Sequence, residues 1–136
     1  MDIRALSLAT AMRSDELVTH LHRLRHPSGW FGSLMEYLAP ASRAHILVLL
    51  ASVGGHPVGV MMVDTADPSS KACGVFVEES YRRRGIGSAL MREAYVLAGP
   101  GLRCCPGDDG SMSFFEKLKP TLGLYISNFA MPRAAS

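Results

Sequence analysis

The sequence has few cysteines, and they are poorly placed for metal or disulfide work. Cys73 stands alone, and Cys104 and Cys105 are adjacent. Three is an odd number for a disulfide framework, and no C-x-x-C pair offers a structural zinc site. A reduced, intracellular setting is expected. Long apolar runs are lacking too: the most apolar stretch, residues 46–53, is far short of the ~20 residues of a membrane span. The opening residues include Asp2 and Arg4 and carry no apolar signal-peptide core behind a basic start. A soluble, cytoplasmic protein without a membrane partner is expected. Charge of one sign is also missing. Fourteen basic and twelve acidic residues leave +2 at pH 7, which excludes a basic nucleic-acid coat or an acidic tail as the organising feature. No repeat, low-complexity tract or long linker divides the chain.

What is present is 136 residues, read as a single domain over 1–136. With 48% hydrophobic and 19% charged residues, the chain can bury a core. Residues 3–8 alternate weakly and predict a first strand. Ser14 precedes Asp15 and Glu16, and Leu17, Leu21 and Leu24 follow at helical spacing. This predicts a capped amphipathic helix, ended by Pro27-Ser28-Gly29. A second, shorter helix is predicted over 32–38. Two apolar runs, 45–53 and 58–63, flank Gly54-Gly55, a hairpin signal because both turn positions can take positive φ. The rest of the pattern is a strand over 72–77, a helix from Ile86 stopped by Gly99-Pro100-Gly101 and a short strand over 102–105. A loop over 106–110, a helix over 112–118 and a final strand over 122–131 follow. The order β-α-α-β-β-β-α-β-α-β is of the α/β (α+β) class, with helices packed on a sheet.

The segment that carries chemistry runs from Val75 to Leu90. A strand enters a turn with Arg82, Arg83 and Arg84 and with Gly85 and Gly87, and the turn opens a helix. A helix start offers unpaired N–H groups and the positive end of the dipole. Glycines let backbone approach an anion closely, and arginines add charge and forked donors. A Walker A loop would need a lysine before Ser88, and a dinucleotide fingerprint would need a glycine at Leu90. On glycine spacing alone, an anion site and an ordinary helix start with solvated arginines stand side by side.

The same stretch resembles the acyl-CoA-binding signature of the GNAT N-acetyltransferase family, Gln/Arg-x-x-Gly-x-Gly/Ala at a helix start, matched by Arg82, Gly85 and Gly87. Tyr81, the strand ending at Val77 and residues 88–91 are similar as well, and the likeness extends over 72–118. It implies a GNAT-like acyl-CoA N-acyltransferase fold, with a central mixed, mostly antiparallel sheet flanked by helices. It also implies an acetyl-CoA-dependent N-acyltransferase, with acetyl-CoA as co-substrate, an amine of a small molecule or protein as acceptor, and no metal. In such a site the N–H groups of Arg83, Arg84, Gly85, Ile86, Gly87 and Ser88 hold the CoA pyrophosphate, with Arg82 at the first motif position. Val75, Phe76 and Val77 lie on the strand that pairs with pantetheine. The N–H of Val77 would polarise the thioester carbonyl as an oxyanion donor. The neutral acceptor amine would attack directly in a ternary complex, so a base or water path is needed.

The second family signature, roughly Asn-x-x-Ala-x-x-x-Tyr-Glu-Lys-Leu-Gly-Phe, is matched only at its Glu-Lys-Leu core. Asp108, Ser111, Phe115, Lys119 and Pro120 fall at other positions of the pattern. Asp108 and Phe115 are expected beside the cofactor. Phe115 stands where the tyrosine that protonates the departing thiolate is usual, and a phenyl ring cannot do that. Ser111 and Tyr125 are the replacement candidates, with Ser113, Cys105 and water behind them. Lys119-Pro120 in place of Gly-Phe imply an altered turn into the last strand. The short C-terminal region implies a last hairpin that is truncated or supplied by a partner chain, as in a homodimer.

No general base stands out. Glu36, Asp64, Glu78 and Glu79 read as solvated carboxylates, and the five histidines as surface or partly buried groups; His20 and His22 do not share a face. Trp30, Phe31 and Tyr37 either wall an amine site or cap the core. Cys104-Cys105 lies on the strand expected to splay from the signature strand. Two other functions stay open. One is a non-catalytic acyl-CoA-binding sensor or structural descendant, motivated by Phe115. The other is a nucleic-acid module built on the arginines, against which the near-neutral charge and the lack of interleaved aromatics count.

Overall fold

The computed structural model describes residues 1–24, 40–104 and 109–126. Strand β1 (Asp2–Ser7) leads into two helices, α1 (Leu8–Ala11) and α2 (Asp15–Leu24). Leu8, predicted to close the strand, instead opens α1, because Ser7 caps it: the Thr10 N–H donates to Ser7 Oγ at 3.1 Å. Ser14 does the same for α2, accepting from the Leu17 N–H at 3.2 Å. After a 3₁₀ turn (Pro40–His45) come β2 (Ile46–Val53), β3 (His56–Asp64) and β4 (Lys71–Val77). A 3₁₀ turn (Glu79–Tyr81), α3 (Ile86–Ala98), β5 (Leu102–Cys104), α4 (Asp109–Leu122) and β6 (Tyr125–Ile126) complete the described elements. The predicted helix over 32–38, with Trp30, Phe31, Glu36 and Tyr37, lies outside the described residues.

The six strands lie in one sheet in chain order. Strands β1 to β4 pair antiparallel, whereas β4 with β5 and β5 with β6 pair parallel. The Gly54-Gly55 hairpin forms as expected, with both glycines at positive φ (+59° and +79°). Antiparallel neighbours allow such a two-residue turn, while the parallel β4–β5 pair needs the α3 crossover.

Strands β2 and β3 are buried on both faces, which is why their sequences read as nearly unbroken apolar runs. On one face Ile46, Val48, Leu50, Val60 and Met62 pack against Leu8, Ala11, Leu21 and Leu24 of α1 and α2. On the other, Leu49, Ala51, Met61, Val63 and Cys73 meet Leu90, Met91 and Ala94 of α3, and Phe115, Leu118 and Leu122 of α4. Lys71 is a buried cation at the start of β4. Its Nζ donates to the Pro100 carbonyl at 2.7 Å, tying that strand to the turn that ends α3.

The C-terminal part departs from the sequence reading. The predicted helix over 112–118 is α4, which starts three residues earlier and runs through Pro120 to Leu122. Phe115, Leu118 and Leu122 share one buried helical face, and that burial outweighs the ladder bond Pro120 cannot donate. The helix ends at Gly123, which takes φ +63° and donates its N–H to Lys119 C=O at 2.8 Å. The last strand therefore begins at Tyr125 rather than Leu122, and the remainder of the predicted strand over 122–131 lies outside the described residues.

Both cores hang on the β2–β3 layer, so truncation there is costly. Leu49→Ala, at a site with 0% exposure, is expected to lower unfolding free energy by about 2–5 kcal/mol. Val96→Ala, at 74% exposure, should change it by no more than about 0.5 kcal/mol. Urea denaturation of both variants checks the contrast.

Candidate functional site

The site lies along β4 beyond its described pairing with β5. Their described register is Lys71 with Leu102, Ala72 with Arg103 and Cys73 with Cys104. Strand β4 continues for four residues beyond that last pair. Two bonds fix which way its backbone faces. The Lys71 N–H donates to Gly101 C=O at 2.8 Å on the β5 side, and the Glu78 N–H donates to Val58 C=O at 2.8 Å on the β3 side. Ladder alternation then turns the N–H and C=O of Val75 and Val77 toward the β5 side and those of Phe76 toward β3. Among the described residues, the N–H groups of Val75 and Val77 have no strand partner there. Among the described residues the edge beyond the pairing is open, a fork with a peptide-like wall. At its apex the Cys73 and Cys104 sulfurs touch at 3.5 Å.

The arginine–glycine loop closes the open end. Arg82 folds back into the fork, where its Nε donates to Val77 C=O at 2.8 Å and its guanidinium lies 5.6 Å from the Phe76 ring centre. Arg83 takes φ +64° and Gly85 φ +80°. Left-handed residues alternating with right-handed ones turn successive N–H groups to one side, which makes an anion-binding nest. Gly85 is the N-cap of α3 and supplies no side-chain cap. The N–H groups of Ile86, Gly87 and Ser88, which have no intrahelical acceptor, therefore join the nest at the positive end of the helix dipole. Arg84 stacks on Tyr81, 5.0 Å from the ring centre. All three arginines are exposed at the mouth.

Two glycines bring α3 against the sheet and α4 against α3. A Cβ on Gly59, the register partner of Val77, would sit 3.3 Å from Ile86 Cγ2 and 3.4 Å from Leu90 Cδ1. Absence of that atom seats the first turns of α3 directly beside the fork. A Cβ on Gly87 would meet the Phe114 ring at 3.1 and 3.3 Å. Gly87 thus serves helix packing as well as access to an anion.

The structure brings Val75, Phe76, Val77, Arg82, Arg83, Arg84, Gly85, Ile86, Gly87 and Ser88 together around this fork. Phe115 is 3% exposed and belongs to the core; the ring that meets the loop is Phe114, one residue earlier. Ser111 lies in the first turn of α4 and Tyr125 opens β6, while Asp108, Cys105 and the residues assigned to the acceptor lie outside the described part. Glu78, read as a solvated carboxylate, is instead paired with Arg23 of α2. Asp64 is at the opposite end of β3, where it accepts from the Ala66 N–H. Gly59, Phe114 and Arg23 were missed by sequence reasoning. Only Gly59, a glycine inside an apolar strand run, carried a local signal. Among the described residues no group of three or more His, Cys, Asp or Glu is placed to hold a metal ion.

The fold has known counterparts. The model of the acetyltransferase (GNAT) family matches residues 15–118. A search of curated proteins gave no match. Among solved structures, apo aminoglycoside antibiotic 6'-N-acetyltransferase from Acinetobacter haemolyticus superposes with a TM-score of 0.64 at 17% identity, over 98% of this chain and 97% of that one. A GNAT-family acetyltransferase from Streptococcus pneumoniae gives 0.61 at 24% identity, over 86% and 84%. An aminoglycoside N-acetyltransferase in complex with CoA gives 0.54 at 18% identity, over 90% of each.

The two loop glycines differ in what an added methyl group would meet. Gly85→Ala places a Cβ in open space at positive φ and is expected to destabilise by about 1 kcal/mol. Gly87→Ala forces the Phe114 ring to move and should cost about 1–3 kcal/mol. In a Phe114→Ala background most of that cost should disappear, because the ring that the Cβ would meet is gone. A double-mutant cycle read by thermal unfolding measures that coupling.

Proposed function

The chain belongs to the GNAT acetyltransferase family, and we propose that it is an acetyl-CoA-dependent N-acetyltransferase acting on an amine by direct attack. The observation that carries this reading is the fork: unpaired backbone along β4, ending in an N–H nest at the start of α3. In this reading the nest of Arg83 to Ser88 takes the pyrophosphate, with Arg82 and Arg84 supplying countercharge. The exposed edge of Val75 and Val77 takes the pantetheine amides, with Phe76 between them on the opposite face. That shape fits a ligand carrying a diphosphate and two amides on one thin arm.

The sequence made Val77 the oxyanion donor, but with the diphosphate in the nest the arm runs from Val77 back along β4 and carries its thioester to the far end of the open edge. Of the two N–H groups facing the fork, that of Val75 is therefore the proposed oxyanion donor, and preorganised donors of this kind contribute about 2.7–4 kcal/mol. Attack by the amine nitrogen forms the N–C bond, the C–S bond breaks, and the proton lost by nitrogen leaves through a base or water. The thiolate is a fair leaving group. Ser111 and Tyr125 are the proton donors proposed for it, and Asp108 is proposed to border the arm. Phe115 supports the site from the core. Similarity in fold to aminoglycoside N-acetyltransferases makes polyamines of that class the first acceptors to try. Among the described residues no helix is long and apolar enough to cross a membrane; a cytoplasmic location is part of the proposal. A second reading, an acyl-CoA binder without turnover, is favoured by the phenyl ring of Phe115 at the usual tyrosine position.

Calorimetric titration with acetyl-CoA, desulfo-CoA and ATP tests the reading. One-to-one binding of acetyl-CoA is expected, with ATP much weaker. Gly85→Asp should weaken acetyl-CoA by about 100-fold or more, near 2.7 kcal/mol, because a carboxylate would enter the nest. Thiol release with a panel of amines, an aminoglycoside included, then separates enzyme from binder. Absence of acetyl-CoA binding would overturn both.

A further inference from the structure

The far edge of the sheet also carries unspent backbone. Strand β1 stands at the end of the sheet order, and it pairs with β2 from Asp2 to Ser7 without a register shift. The Thr65 N–H donates to His45 C=O at 2.9 Å. Alternation from that pair turns the backbone groups of Leu47 and Leu49 toward β3, and those of Val48 and Leu50 toward β1. Leu6 and Arg4, the register partners of Val48 and Leu50, therefore bond β2. The N–H and C=O groups of Ile3 and Ala5 point away from the sheet, where no strand lies among the described residues. Such an edge is a template for a further strand, and natural edges are often blunted by a bulge, a proline or a lysine. Strand β1 has none of these.

Asp2, Arg4 and Leu6 alternate onto the face that carries α1 and α2: Leu6 packs against that core, and Arg4 lines a surface groove with Thr10 and Arg13. Asp2 and Arg4 are exposed, and among the described residues neither has an ion-pair partner. A second β1 laid antiparallel against the first can bond the free groups only in registers that set outward-facing residues opposite one another. With Ile3 opposite its own copy, Asp2 of each chain faces Arg4 of the other. With Ile3 opposite Ala5, Arg4 meets Arg4. With Met1 opposite Ile3, Asp2 meets Asp2. With Ala5 opposite its own copy, Arg4 meets Leu6. Opposite charges across strands stabilise a pair and like charges destabilise it, so the Ile3-centred register is selected. Its two Asp2–Arg4 pairs fall at non-hydrogen-bonded positions, where opposing side chains lie closest. We propose that β1 is the docking edge for a second copy of this chain, which joins the two sheets about a two-fold axis through the Ile3 pair. Contact is confined to one short strand from each copy. A reversible dimer is therefore expected, with a dissociation constant in the range of about 10 µM to 1 mM. The fork lies along β4, away from this edge, so both mouths stay open in the dimer.

The test is sedimentation velocity of the full chain from about 10 µM to 1 mM, for wild type, Asp2→Arg, Arg4→Asp, the Asp2→Arg/Arg4→Asp double variant and Ala5→Pro. Wild type should pass from monomer to dimer over that range. Each single charge reversal sets like charges opposite one another twice and should weaken the dimer about tenfold or more. The double variant exchanges the two charges and should return to within about threefold of wild type. Ala5→Pro removes an outward N–H and spares the β1–β2 ladder, so the variant should fold and stay monomeric. A wild type that is monomeric throughout overturns the proposal and leaves the edge to another partner or to water. A dimer that none of the variants weakens lies on another surface and overturns it equally. Single reversals that weaken the dimer without rescue in the double variant refute the Asp2–Arg4 register and the proposal with it. The charge variants lie at exposed positions, so they decide the matter even if Ala5→Pro lowers folding stability.

Discussion

Parallel pairing between β4 and β5 spans three described register pairs, and the site depends on the stretch of β4 beyond them. A ladder along that stretch would use the N–H groups of Val75 and Val77, which have no strand partner there among the described residues. Instead the backbone alternation that starts at Lys71 delivers those groups to the parted side of the sheet. Parting a sheet normally leaves orphan polar groups that must find water or a ligand. Here one of them, the Val77 carbonyl, is already taken by Arg82. A side chain of the arginine–glycine loop thus holds the neighbouring strand edge.

The loop carries conformational strain of its own. Arg83 sits in the left-handed region without being glycine, which costs about 1–2 kcal/mol. Residues stay in such wells only when their surroundings over-determine them. Arg84 stacked on Tyr81, Arg82 on Phe76 and Ile86 buried against Gly59 supply those surroundings. The N–H groups are therefore turned outward before any anion arrives.

Much of this was legible in the residues, and the misses share a cause. The β2–β3 hairpin was readable because Gly54-Gly55 between apolar runs admits few other structures. The loop and the start of α3 were readable because arginines and glycines at fixed offsets have a backbone reason to be there. The length of α4 was not, since Pro120 is a strong local stop signal that tertiary burial of Leu122 overrides. Phe114 and Phe115 are adjacent, and only packing against Gly87 decides which ring faces the loop. Arg23 and Glu78 are far apart in sequence and ordinary in local context, so their pairing belongs to the fold alone.

The β2–β3 and β3–β4 pairings each close a short stretch of chain at low entropic cost. The β4–β5 pairing is different: it must wait for a whole helix to cross the sheet, and it then gains only a few bonds. Pairings of that kind form late and open early in the native ensemble. The fork is thus a weak seam of the sheet as well as its mouth. An arm inserted along β4 would act as a missing strand, closing that seam and tightening the protein as it binds.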